Sequence, residues 1–163
     1  MTTVSLSLDE IYKLANKTLL ANGCDQETAD ILSELITNAE RDGSLSHGLF
    51  RLPSYVSGLK SGKINGKQKP NIKKLTPSVI KADGKNCLAP VVLNKSIPEL
   101  VKAAKENGVA VLAIINSHHM AAMWPETEKI AEEGLVAFAC TSYKPAVAPV
   151  SYTHLTLPTT PYV

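Results

Sequence analysis

The chain opens with two runs of apolar residues at helical spacing. Ile11, Leu14, Ala15 and Leu19 recur three and four positions apart, the period of one helix face. Ser7 with Glu10 forms a capping box ahead of them, and Gly23 supplies a stop. Asp25 caps a second helix whose apolar face is Ala29, Leu32, Leu35, Ile36 and Ala39, and Gly43 ends it. A third helical segment is predicted from about Gly48 to Lys60, with Leu49, Leu52, Tyr55, Val56 and Leu59 inward. Pro53 there demands a late start or a kink. Residues 61–78, rich in Gly, Lys, Asn and Pro, read as a linker or long excursion.

Strands and helices then alternate. Val79 to Ala82 is a short strand closed by Asp83-Gly84, and Pro98 to Asn107 is a helix with Leu100, Val101 and Ala104 inward and Gly108 after it. Val109 to Ile115 is a continuous apolar run, the pattern of a strand buried on both faces. Glu126 to Glu133 is helical with Pro125 near its first turn, and Leu135 to Thr141 is a second apolar strand. The expected fold class is α/β: N-terminal helices over residues 1–60, the linker 61–78, and a partial βαβ layer over 79–150. Residues 151–163, SYTHLTLPTTPYV, follow neither period and carry no charge, and they read as a tail foreign to that layer.

Composition narrows the class. With 44% hydrophobic and 20% charged residues, the 163-residue chain has globular values. A net charge of +2 is too small to argue for nucleic acid. The lysines at 60, 63, 67, 69, 73 and 74 lack aromatic interleaving and read as a solvated loop. No apolar run reaches membrane-spanning length, and Asp9 and Glu10 break any signal-peptide pattern. Cys24, Cys87 and Cys140 are odd in number and widely spaced, as expected of reduced thiols in a cytoplasmic protein, with Cys140 buried near a strand end.

Two stretches can carry chemistry. Arg41-Asp-Gly-Ser-Leu-Ser-His-Gly-Leu-Phe-Arg51 sets Ser46, His47 and Arg51 close together. An imidazole gives or takes protons near neutrality, and the neighbouring hydroxyl can hold or relay one. If the segment is helical, Arg51 shares a face with His47 and can grip a carboxylate with its fork of donors. The alternative is a turn histidine and a surface arginine. The second stretch is Asn116-Ser117-His118-His119-Met120-Ala121-Ala122-Met123, where small Ala121 and Ala122 could admit a ligand to backbone N–H groups. Alternatively the histidine pair caps the next helix. No carboxylate or cysteine nearby completes a metal site. A Gly-x-Gly-x-x-Gly fingerprint, a Walker loop and a Gly-x-Ser-x-Gly elbow are all absent.

Taken together, Arg41-Asp42-Gly43, Ser46-His47-Gly48, Arg51-Leu52-Pro53-x-Tyr55, Asp83-Gly84, Ala104-x-x-x-Gly108, Asn116-Ser117-x-His119 and Gly134-Leu135-Val136 carry a resemblance. Over about residues 5 to 150 the chain resembles the type 2 malate/L-lactate dehydrogenase family of NAD(P)H-dependent oxidoreductases. His118 to Pro125 most resembles the branch of Δ1-piperideine-2-carboxylate/Δ1-pyrroline-2-carboxylate reductases; other branches act on malate, lactate, ureidoglycolate or diketogulonate.

The resemblance implies a nicotinamide-binding α/β fold that is not a Rossmann domain, with NADPH or NADH as cofactor. It also implies a homodimer and a small carboxylate-bearing substrate. It matches His47 to the proton donor, Ser46 to its relay, Arg51 to the carboxylate anchor, and His119, Met120, Ala121, Ala122 and Met123 to a cofactor-contacting segment. In other branches the histidine matching His119 is the acid/base, and Met120 and Ala121 replace an aromatic and a glycine. The implied reaction is reduction of a C=N or C=O beside a carboxylate, or oxidation of a 2-hydroxy acid of malate, lactate or ureidoglycolate type. The family continues past Val150 with a glycine pair, a Gly-Thr-Asn-Pro-like segment and another acidic relay, where this chain has Ser151–Val163. The chain is therefore expected to be a truncated fragment of a protein roughly twice as long. The competing expectation, from another class, is an inactive binding or dimerisation fragment.

Overall fold

At the head of the first helix the Ser7 hydroxyl accepts the Glu10 N–H at 3.3 Å and the Glu10 carboxylate accepts the Ser7 N–H at 2.8 Å. This is the expected capping box, and it starts α1, Leu8–Ala21, in a computed structural model that describes residues 4–118 and 121–141. The Asp25 carboxylate accepts the Thr28 N–H at 2.9 Å and begins α2, Gln26–Arg41. The two helices pack through Ile11, Ala15 and Leu19 against Ala29, Leu32 and Ile36, all buried. Leu14, expected on the inward face, is 47% exposed. Its neighbour Ala15 marks the centre of that face, and one residue back turns Leu14 about 100° away.

A 3-10 turn, Leu49–Arg51, precedes α3, Leu52–Lys60. Pro53 therefore sits in the first turn, where its missing N–H costs nothing, and the late start is the observed solution. Tyr55 is fully buried, and burial pushes its phenol up to about 12.

The stretch 61–78 is more than a linker, because it contains β1, Asn71–Thr76. This strand runs antiparallel to β2, Val79–Asp83. All of β1 but Ile72 is exposed, so it lacks the apolar alternation by which a strand is read. Lys69, assigned to a solvated loop, instead pairs with Asp25 at 2.8 Å and Glu27 at 2.6 Å, and Lys95 also pairs with Glu27.

From β2 the chain passes through α4, Ala89–Asn107, into β3, Val111–Ile115, parallel to β2. Sheet order is β1-β2-β3. The helix begins at Ala89 rather than Pro98, with Pro90 in the first turn and Pro98 inside. Pro98 and Asn94, four residues earlier, are both exposed, so water can meet the carbonyl that Pro98 cannot. Val91 and Val92 enter the core. Leu100, Val101 and Ala104 are only half-buried, and Ala103 takes the inward position.

The expectation of a strand buried on both faces fails for β3. Leu112 and Ile114 face the core, whereas Val111 is 54% and Ile115 38% exposed. Among the described residues the helices cover one face of the sheet alone. Leu135 to Thr141 forms no strand, because no described segment offers it a ladder; Phe138 is 90% exposed, and Cys140 is exposed rather than buried. Cys24 and Cys87 are buried. The last helix, α5, is Trp124–Ala131, with Pro125 in its first turn. The expectations for Ser151–Val163 lie outside the described residues. Among the described residues, no helix is long and apolar enough to cross a membrane.

The ion cluster at the start of α2 generates a pH test. Hydrogen bonds from Lys69 and then Lys95 hold Glu27 below its ordinary value of 4.5. A depressed carboxylate contributes stability above its unfolded value and loses it as pH falls through the folded one. Glu27→Gln is therefore expected to cost about 0.5–1 kcal/mol at neutral pH in urea unfolding, the scale of exposed pairs. That difference should close as pH is lowered below 4.5.

Candidate functional site

Past the end of α2 the chain turns sharply, with the Ser44 N–H on the Ala39 carbonyl and the His47 N–H on the Ser44 carbonyl, both at 2.8 Å. This turn carries Ser46 and His47. The Ser46 hydroxyl lies 2.9 Å from His47 Nδ1, and the Ser44 hydroxyl lies 3.4 Å from the same nitrogen. Nδ1 is thus fixed by a local hydroxyl. Which group donates depends on the imidazole tautomer.

Glu40, in the last turn of α2, accepts the Leu49 N–H at 2.7 Å and ties the turn to the helix. A Cβ on Gly48 would lie 2.1 Å from Glu40 Oε1, so the glycine makes room for this brace.

Arg51 is placed differently from expectation. Residues 47–51 form a turn and a 3-10 segment, so His47 and Arg51 do not share an α-helical face. Instead Arg51 Nε donates to the Ser46 carbonyl at 2.8 Å, which returns the guanidinium to the same turn. Its charge opposes the effect of burial on the Tyr55 phenol. Among the described residues no carboxylate forms an ion pair with Arg51.

The start of α5 closes the opposite side. The Trp124 and His47 ring centroids are 6.0 Å apart, with planes at 75°, an edge-on aromatic contact. Beside Trp124 on the same cleft lies Asp42, whose carboxylate is gripped by Arg41 Nε at 2.8 Å and its terminal nitrogen at 3.2 Å. Arg41 foremost, with a smaller contribution from Trp124, holds Asp42 below the usual carboxylate range despite slight desolvation.

Between these walls lies a cleft of about 320 Å³, counting space open to solvent, lined by Leu35, Asn38, His47, Ala122, Trp124 and Glu128 among others. Ala122 also borders, with Ala121, an adjoining groove of about 530 Å³ between α2, α4 and α5. The structure therefore brings His47 and Ala122 to one cleft. Ser46 and Arg51 are not among the lining residues, Ala121 borders the adjoining groove, and Met123 takes the N-cap position of α5 with no side-chain cap bond. His119 and Met120 lie outside the described residues.

The stretch after β3 is knitted to the turn after β2. Asn116 donates to Asp83 at 3.1 Å, and the His118 N–H donates to the Cys87 carbonyl at 3.1 Å. A Cβ on Gly84 would lie 2.9 Å from the Asn116 carbonyl, so this closeness requires glycine. No cluster that could hold a metal occurs among the described residues. Sequence reasoning missed Glu40, Asn38, Trp124 and Glu128. For Glu40, Asn38 and Glu128 no local signal existed; Trp124 is the sole tryptophan and stands in a helix first turn, which could have marked it.

An α/β fold with a hydroxyl-backed histidine at a cleft between helix ends suits proton transfer to a small bound molecule. Residues 6–163 match the malate/L-lactate dehydrogenase family, and the chain belongs to it. It is 40% identical over 159 residues to a Δ1-pyrroline-2-carboxylate reductase of Ancylobacter novellus, covering 98% of this chain and 47% of that one. The crystal structure of Δ1-piperideine-2-carboxylate reductase from Pseudomonas syringae matches with a TM-score of 0.77 at 39% identity, over 81% of this chain and 40% of that one. Malate dehydrogenase from Entamoeba histolytica matches with a TM-score of 0.76 at 28% identity, over 82% and 37%. The chain spans less than half the length of these relatives.

The Glu40 brace predicts the behaviour of Gly48→Ala. The new methyl group displaces the Glu40 carboxylate and strands the Leu49 N–H. A stability loss of about 0.5–1.5 kcal/mol is expected in denaturant unfolding, the net worth of one hydrogen bond on a part-buried donor. Gly48→Ala combined with Glu40→Ala should cost less than the two single changes summed.

Proposed function

We propose that the complete protein is a nicotinamide-dependent reductase acting on a C=N or C=O bond next to a carboxylate, with a cyclic imino acid as the favoured substrate and a 2-keto acid as the alternative. The observation that carries this reading is a single turn that fixes an imidazole through Ser46, at 2.9 Å, and a guanidinium through Arg51 Nε, at 2.8 Å. A proton donor and a carboxylate anchor are thereby held in one frame. The names of the relatives support the substrate class.

The cleft fits the ring end of a nicotinamide cofactor. Ala121 and Ala122, 8% and 3% exposed, present no side chain longer than a methyl group, and a flat ring can lie against them. The phosphates find less: of the basic residues lining the cleft and groove, Arg41 is already held by Asp42, leaving Lys129. When bound, the reduced cofactor supplies a hydride to the substrate carbon.

In this reading the chain's own residues do the rest. Arg51 holds the substrate carboxylate by charge-assisted hydrogen bonds. His47 gives its proton to the nitrogen or oxygen that gains the electron pair, and Ser46 steadies the imidazole as it changes charge. Ala121, Ala122 and Met123, with His119 and Met120, form the cofactor side. The net change is one new C–H bond and one new N–H or O–H bond. A homodimer is part of the same proposal.

A second reading, a non-catalytic binding or dimerisation unit, draws on the exposed apolar face of β3 at Val111 and Ile115. Oxidation of NADPH and NADH with Δ1-piperideine-2-carboxylate, pyruvate and oxaloacetate separates the two. The assay is run on this chain and on a form extended to the length of the relatives. Activity in the extended form supports the reductase; failure of that form to bind either cofactor overturns it. In an active form, His47→Gln should lower kcat by about 10²–10⁴. Arg51→Ala should chiefly raise KM, by the about 1.5–3 kcal/mol of a charged hydrogen bond.

A further inference from the structure

We propose that Asn38 is a specificity-determining residue for the cofactor: its carboxamide pairs with the carboxamide of a nicotinamide ring and fixes how that ring lies in the cleft. The proposal deepens the reductase reading and rests on it. The cleft and the adjoining groove are two parts of one trough, since Leu35, Asn38, Ala122 and Pro125 border both. Leu35 and Asn38 stand three positions apart on α2 and so share a face of that helix. Ala122 and Pro125 belong to the other wall, around the start of α5.

A ligand that spans the trough has to pass this border, where the side chains of Leu35, Ala122 and Pro125 offer only hydrocarbon. Asn38 is half-buried, and its carboxamide has no hydrogen-bond partner among the described residues. An amide at the mouth of a cavity, with donor and acceptor both unused, matches a group that carries one of each. The nicotinamide carboxamide is such a group, and a pair of N–H···O=C bonds can join it to an asparagine. The charges along the trough favour a neutral group at this point. Arg41 is paired with Asp42, and the other charged residues of the lining are Glu34, Glu126, Glu128 and Lys129. A carboxylate would meet repulsion there, so the acid end of the substrate does not compete for Asn38. A carboxamide held at both of its polar atoms keeps the ring from turning over about its bond to the sugar, so one face of the ring is offered to the substrate.

Calorimetric binding of reduced cofactors to a form extended to the length of the relatives tests this without turnover. The probes are NADH or NADPH, whichever binds, and its 3-acetylpyridine analogue, in which a methyl group replaces the amide nitrogen and the carbonyl stays. The parent is expected to bind the nicotinamide form about three- to tenfold more tightly than the analogue, the worth of one hydrogen bond. Asn38→Ala should remove that preference by weakening the nicotinamide form more than the analogue. Asn38→Asp keeps an acceptor for the amide N–H but cannot donate to the carbonyl, so both forms should bind less tightly while the preference persists. A merely structural role for Asn38 would weaken the two forms alike.

An independent arm follows the side-chain amide signal of Asn38 by NMR in the parent, which should move when the nicotinamide form binds. If the variants do not fold, as judged by circular dichroism, this arm decides alone, and a signal that stays in place overturns the proposal. A parent without the preference, a ratio of affinities unchanged in Asn38→Ala, or a preference lost in Asn38→Asp overturns it as well. Each of these outcomes leaves the reductase reading standing, because the cofactor still binds. Failure of the extended form to bind either cofactor removes that reading and this proposal together.

Discussion

The buried stripe of α2, formed by Ala29, Leu32, Ile36 and Ala39, is the contact on which the site depends. One helix face packs against α1 and against α4, so α2 cannot rotate without exposing a run of apolar side chains to water. Its two ends are then available for other work. The first turn gathers Lys69 and Lys95 onto Asp25 and Glu27 and draws the chain before β1 and the middle of α4 towards it. The last turn extends Glu40 to the Leu49 N–H. The position of the imidazole is therefore inherited from the packing of α2, whose buried stripe ends at Ala39 beside Glu40, through hydrogen bonds that start from a rigid helix.

How far this was legible in the sequence follows from which interactions are local. The helices of the N-terminal half were plain because caps, stops and apolar spacing are all encoded within a few residues: Ser7 with Glu10, Asp25 with Thr28, Pro53 in a first turn. β1 was hidden because an edge strand with solvent on nearly every side chain has no period to betray it. Pro98 misplaced the start of α4, since a proline is read as a first-turn residue unless tertiary packing carries the helix through it. For β3 and Leu135 to Thr141 the apolar runs were real, but apolar composition states what a segment needs and not whether a described neighbour supplies it.

The site divides in the same way. Ser46, His47 and Arg51 were named from a short motif, yet the geometry joining them is different. The guanidinium returns through a backbone carbonyl instead of along a helix face. Trp124 stands far along the chain from His47 and meets it only because α5 packs beside the end of α2. Such contacts come from topology, and spacing in the sequence holds no record of them.

Glu40 and Gly48 carry a consequence for how this turn can drift over generations. The carboxylate occupies the space that any side chain at position 48 would need. The two positions are therefore coupled in time as well as in space. A larger residue at 48 must push the carboxylate aside, and a shorter one at 40 gives up the Leu49 N–H, so either change alone costs the brace and the second then costs less. Lineages that leave this glycine–glutamate pair are drawn to leave it at both positions.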